Sequence, residues 1–328
     1  MRKKKGVSRL IVTLLLLAGC LITIWPVGET LLHDRTLTGK ALTYEREQRV
    51  SGAASAEFKA AQRYNAHLDP RLLTDPWGES SDVTQTPAYA EYLTQLGGTD
   101  PMATIVIPKI GANLPIVHGT TAAALKTGVG HFFGSALPVG GKGTNAVLAG
   151  HHTLPGYTFF TGLEELAPGD DFMIHVAGQV LTYRVVSTKL IRPTELDAVA
   201  PVPGKDLVSL VTCITPKGGP LNYYRLVVQG ERIPTQGVAD LGADSAVSVP
   251  SGVNIEQWMW PRIAIAGVAL VLLAVFAASW VRRDRATRRG GAASRASSNT
   301  APGTTTRVTG AGPGGATSSG IQRNEREQ

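Results

Sequence analysis

The sequence predicts an all-β barrel or sandwich, held outside the cell between two membrane-spanning helices. Three observations predict it. Short apolar, β-branched runs recur at close spacing between residues 101 and 235, broken by Gly, Pro and Asp turns. Two runs towards the ends of the chain, 10–27 and 258–281, are close to the roughly 20 apolar residues that cross a bilayer. Basic residues crowd at the outer ends of both runs: Arg2, Lys3, Lys4, Lys5 and Arg9 before the first, and Arg282, Arg283, Arg285, Arg288 and Arg289 after the second.

Taken in order, residues 1–9 form a basic N-terminus, and 10–27 (LIVTLLLLAGCLITIWPV) form the first span. The run is long for a cleaved signal peptide and no small-x-small cleavage site follows, so it reads as an uncleaved anchor. The positive-inside rule places both termini in the cytoplasm and the middle outside, a multi-pass cell-membrane topology with lipid as a partner. Trp25, Trp258, Trp260 and Trp280 sit at the limits of the spans, where an apolar ring with a polar N–H is favoured. The whole chain carries a formal charge of +7, but residues 28–260 hold 17 basic and 22 acidic residues, a net of about −5. Without a basic patch interleaved with aromatics, nucleic-acid binding is excluded.

Residues 28–100 read as a helical region. Ala, Glu, Gln, Lys and Arg dominate 30–68, Gly52 interrupts the run and Asp69-Pro70 ends it. Asp75-Pro76-Trp77 lies in a Pro/Gly/Ser-rich loop. That loop is either docked on the core by its tryptophan or a plug set into a groove, with Asp75 facing a cation. A short helix at 88–96 stops at Gly97-Gly98. Strands are predicted at 104–107, 114–117, 146–149, 171–176, 180–186, 207–211 and 225–230, with a hairpin turn at 177–179. Residues 236–257 are a polar linker, and the Gly/Ala/Ser/Thr-rich tail 282–328 is too poor in apolar residues to fold.

The chemistry is carried by few residues. Cys213 ends the apolar run 207–211 and precedes Pro216, so a strand delivers its thiol. The other cysteine, Cys20, lies in the first span, which leaves Cys213 an odd extracellular thiol and therefore a candidate for reactivity. A thiol nucleophile needs a proton acceptor, and of seven histidines His151 stands at a strand end behind Gly150. Arg225 opens the next strand and suits the stabilisation of an oxyanion. Singly, these are equally a core thiol, a solvated imidazole and a strand-edge ion-pair partner. Together at neighbouring strand ends they would make an acyl-transfer site. There is no HExxH, the two cysteines are far apart, and no cofactor or metal is called for.

Val211-Thr212-Cys213, with Arg225-Leu226-Val227-Val228 after it and Leu148-Ala149-Gly150-His151 before it, resembles the sortase transpeptidase family over roughly residues 104–233. The resemblance implies a closed sortase-type β-barrel with short helices. It assigns Cys213 as nucleophile, His151 as acid/base and Arg225 to the substrate and oxyanion. Asp75-Pro76-Trp77 is similar to the N-terminal lid of class C, the pilus-assembling sortases, in which Asp75 would approach Arg225 and Trp77 would cover Cys213. His152-Thr153 and Tyr224 depart from the Arg-Gly and His common in that class. The implied reaction cleaves an LPXTG-like signal between Thr and Gly through a thioacyl enzyme and passes it to an amine, a pilin lysine. The alternatives are a housekeeping sortase that uses a peptidoglycan cross-bridge, a cysteine peptidase that only hydrolyses, and a non-enzymatic tethered β-domain.

Overall fold

Eight strands carry the middle of the chain in the computed structural model, which describes residues 2–50, 54–69, 81–98, 100–152, 156–215, 224–234 and 259–298. They are β1 (Ala103–Ile107), β2 (Ala112–His118), β3 (Val129–His131), β4 (Thr144–Ala149), β5 (Asp171–Val176), β6 (Gln179–Ile191), β7 (Asp206–Ile214) and β8 (Tyr224–Ile233). They close into one barrel in the order β1-β2-β3-β4-β7-β8-β6-β5, which decides between barrel and sandwich. Neighbours are antiparallel except β2–β3 and β4–β7. β3 lies where the sequence predicts no strand: three residues between Gly128 and Phe132 are too short to show a period. β6 runs five residues past its predicted end at 186, through a bulge between Val185 and Ser187.

Side chains alternate across the wall. Ile105, Ile116, Leu148, Phe172, Tyr183, Val208, Leu210, Leu226 and Val228 point into one interior cluster. Val147, Ala149, Val211 and Val227 point outward, and Leu125, Phe132, Ile191 and Val199 cover them. Burying each large aliphatic contributes about 1.5–3 kcal/mol. A polar row crosses the same outer face. Gln229 Nε2 on β8 donates to Ser209 Oγ on β7 (3.2 Å), and Asn145 Nδ2 on β4 lies 3.0 Å from that oxygen. Asn145 Nδ2 also donates to Val199 O (2.8 Å), which pins the β6–β7 connection over the wall.

The first helix, α1 (Arg2–Val50), joins the span at 10–27 to the helical region after it without interruption. It runs straight from the apolar segment into the folded domain, with Pro26 inside it and Thr30 Oγ1 donating to Pro26 O (2.9 Å). Among residues 11–26 the apolar side chains are exposed on every side. From Val27 onward one stripe is buried: Val27, Thr30, Leu37, Ala41 and Tyr44. This stripe faces β2, β1 and β5. Tyr44 Oη donates to Met102 O (2.8 Å) and accepts from Ala177 N–H (3.1 Å). Ala177 (φ +42°) and Gly178 (φ +72°) form the two-residue turn between β5 and β6, and both are left-handed as a type I′ turn requires. The bond from Tyr44 holds the alanine there.

Two shorter helices follow, α2 (Ala54–Ala66) and α3 (Pro87–Leu93). Thr86 caps α3 by accepting from Tyr89 N–H (3.2 Å), and left-handed Gly97 (φ +83°) interrupts the 3₁₀ turn beyond it. The lid residues Asp75 and Trp77 lie outside the described residues.

Residues from 271 onward belong to a second unit. The last helix, α4 (Met259–Ser298), is apolar through Arg283, with Leu272, Val275 and Trp280 exposed. It continues to Ser298, past residue 282 where the sequence predicts an unfolded tail. Among the described residues, α1 and α4 are the two helices long and apolar enough to cross a membrane.

Candidate active site

Strand register, not sequence proximity, builds the site. β4 and β7 run parallel with Ala149 beside Val211. The ladder continues one step further, since Gly150 N–H donates to Val211 O (3.1 Å). His151 therefore leaves the wall level with Cys213, one strand away, a spacing of about 4.8 Å. β7 and β8 run antiparallel and pair Cys213 directly with Arg225. Opposed residues of this kind have Cβ atoms about 4.5–5.5 Å apart.

Parity then decides the face. Leu210 and Val208 point inward, so Val211 and Cys213 point outward. Leu226 and Val228 point inward, so Arg225 points outward with Val227. Leu148 points inward, and the position a Cβ of Gly150 would take meets Phe160 of the interior cluster at 2.7 Å, which turns His151 outward. Thiol, imidazole and guanidinium thus share one outer edge of the barrel. Cys213 is partly exposed, Arg225 is buried and His151 is half-buried.

The surroundings of His151 set its chemistry. Burial lowers its pKa below the usual 6.5, and the nearby Lys126 ammonium lowers it further. It is therefore a neutral imidazole at pH 7, ready to take a proton. Each of the other six histidines has a fixed neighbour. His131 is fully buried with Nδ1 3.0 Å from Tyr92 Oη and Nε2 2.8 Å from Ala136 O, and burial pushes its pKa down to about 4. His152 Nε2 lies 3.0 Å from Glu164, His175 Nδ1 3.2 Å from Glu45 and His118 Nδ1 3.3 Å from Asp100. His67 and His33 approach the carbonyls of Arg63 (2.8 Å) and Gly156 (3.0 Å). Among the described residues no hydrogen bond reaches the ring of His151.

One contributor has only a weak signal in the sequence. Thr212 is a fully buried polar residue in an apolar strand, and its hydroxyl donates to Gly150 O (2.7 Å). It ties the strand of the thiol to the residue before the imidazole. A buried threonine beside a cysteine is a cue to look for such a partner. Thr212→Val keeps the shape and strands the Gly150 carbonyl. A loss of about 1–3 kcal/mol in denaturant unfolding is expected, with a fall in activity larger than the unfolded fraction explains.

The barrel that carries these residues is similar to known sortases. A family model described as Sortase domain matches residues 105–233. Sortase D of Bacillus subtilis (strain 168) is 33% identical over 173 residues, covering 51% of this chain and 81% of that protein. The crystal structure of sortase C-1 from Actinomyces oris aligns with a TM-score of 0.52 at 43% identity, covering 56% of this chain and 99% of the other. A sortase C of Streptococcus pneumoniae, whose structure bears on pilin substrate specificity, aligns with a TM-score of 0.53 at 31% identity, covering 62% and 98%.

Proposed function

We propose that this chain, which belongs to the sortase family of cysteine transpeptidases, cleaves an LPXTG-like sorting signal between Thr and Gly and joins it to a pilin lysine. The observation that carries the reading is the shared outer edge: Cys213 opposite Arg225 on one side, and level with His151 on the strand at its other side. In this mechanism His151 takes the thiol proton and the Cys213 sulfur attacks the threonine carbonyl carbon. Arg225 donates N–H bonds to the carbonyl oxygen as it becomes anionic. The Thr–Gly bond breaks, and the His151 imidazolium protonates the departing glycine amine. A thioester to Cys213 remains. The lysine amine attacks it, His151 takes up the amine's proton, and the sulfur departs as an isopeptide bond forms.

Three features support the pilin-joining form. Asp75-Pro76-Trp77 resembles a class C lid. Sortase C structures are among those the chain resembles. A second long apolar helix is present in α4. The basic flanks support cytoplasmic termini and an extracellular barrel. Because α1 is continuous, only six residues, about 9 Å of helix, separate Val27 from its contact with the segment after His151. The site then works close to the lipid surface, where substrate and growing polymer are both held, and tethering raises their effective concentration.

The test uses the full chain in lipid nanodiscs, an LPXTG-type peptide, and two amines: a lysine side-chain peptide and a peptidoglycan cross-bridge mimic. The isopeptide product is expected. Free acid alone would make the protein a hydrolase, and product with the cross-bridge mimic alone would make it a housekeeping sortase. The pH profile is a further check. His151 must start neutral, and its pKa lies below 6.5, so the acid limb of kcat/KM should fall below pH 6.5. Lys126→Gln removes a charge that disfavours the imidazolium, so the limb should move to higher pH. No movement would disconnect the limb from His151.

A further inference from the structure

α1 reaches the active site through a short segment that no part of the mechanism above uses. His33 and Asp34 grip residues 156–158 on three consecutive positions. The His33 ring lies parallel to Tyr157, with centroids 4.5 Å apart and planes 6° apart. His33 Nδ1 is 3.0 Å from Gly156 O, and Thr158 N–H donates to Asp34 Oδ1 (3.2 Å). Gly156 is left-handed (φ +89°), and a Cβ there would meet His33 Nδ1 at 3.4 Å.

The gripped segment leads straight to His151. Tyr157 stacks on Phe159 (4.9 Å, 13°), and Phe159 meets the His151 ring at 6.0 Å. Phe159 is a non-glycine residue at φ +34°, a conformation that costs about 1 kcal/mol or more and persists only where its surroundings fix it. Phe160 N–H donates to His151 O (3.0 Å) and its ring lies beneath Gly150, while Thr161 Oγ1 donates to His152 O. Three ring-to-ring steps and two hydrogen bonds therefore connect α1 to residues 150–152.

We infer that His33 and Asp34 are positioning residues for His151, so that the membrane-anchoring helix is part of the machinery that sets the imidazole. The inference rests on His151 serving as the acid/base. Its physical content is that the gripped aromatics both orient the His151 ring and keep water from it. The charge that lowers its pKa is Lys126, and Arg225 shares its edge from β8. Loosening the grip should therefore misplace and hydrate the ring together. Misplacement of about 1 Å lowers rate roughly a hundredfold. Hydration raises the pKa of the imidazole towards its ordinary value.

The experiment compares His33→Ala, His33→Phe, Asp34→Ala and Asp34→Asn with His151→Ala, all as full chains in nanodiscs. Transfer of an LPXTG-type peptide to a lysine peptide gives the rate. Titration of the His151 ring by NMR gives a readout independent of activity. His33→Ala and Asp34→Ala should lower kcat roughly tenfold to a hundredfold and raise the His151 midpoint. His33→Phe, which keeps the stack, and Asp34→Asn, which keeps the acceptor, should restore most of both. An unchanged His151 midpoint in a folded His33→Ala chain would overturn the inference. So would a fall in kcat that only tracks the unfolded fraction. Undiminished transfer by His151→Ala would instead remove the acid/base reading on which the inference rests.

Discussion

Replacing Cys213 with alanine should abolish transfer, by at least about 10⁴-fold, while leaving the fold intact. The thiol is on the outer edge and partly exposed, so its loss opens no cavity in the interior cluster, and thermal unfolding should change by less than about 1 kcal/mol. In the proposed mechanism the loss is large because, among the described residues, Cys213 is the thiol on this edge. In that mechanism Arg225 and His151 bind and polarise the signal peptide, but neither supplies a soft nucleophile. Cys213→Ser is the sharper variant. It keeps size and polarity yet offers a hydroxyl whose proton a half-buried neutral imidazole removes far less readily. Peptide binding should persist in both variants. Turnover near the parent rate in either would make Cys213 a structural thiol.

Arg225→Lys should cost roughly 10²–10³-fold in kcat/KM, although charge is conserved. The guanidinium offers a planar fork of donors that an ammonium cannot reproduce. Arg225 is buried at 8% exposure and pairs across the ladder with Cys213, so in the proposed mechanism its donors serve the carbonyl under attack. A strand-edge ion-pair role would give the opposite pattern: lysine would preserve activity and only the melting temperature would respond. Measuring kcat/KM and unfolding on the same preparations separates the two. Activity within threefold of the parent in a folded Arg225→Lys chain would remove the oxyanion role.

What the chain reveals by itself is local. Cys213 after a β-branched run, Gly150 before His151 and Arg225 at the head of a strand are each visible in a few residues, and each stands at an end of β7, β4 or β8. Their meeting was not visible. It depends on a parallel pairing of β4 with β7, whose Ala149 and Val211 are about sixty residues apart, and no short-range pattern encodes that register. β3 escaped notice because three residues between glycines and turns carry no alternation. The continuity of α1 across residue 27 has no local marker either, because the apolar run ends there and a polar helical pattern takes over. The grip of His33 on Tyr157 joins residues more than a hundred apart, and only the folded chain brings those rings together.

The central claim is that one outer edge performs acyl transfer through residue 213. Its most direct test is the mass of the full chain after incubation with an LPXTG-type peptide in the absence of an amine, followed by peptide mapping. The account predicts a thioester carrying the peptide up to its threonine, located on Cys213, discharged on adding the lysine peptide and absent from Cys213→Ala. An adduct at another residue, or turnover with Cys213 replaced, would contradict it.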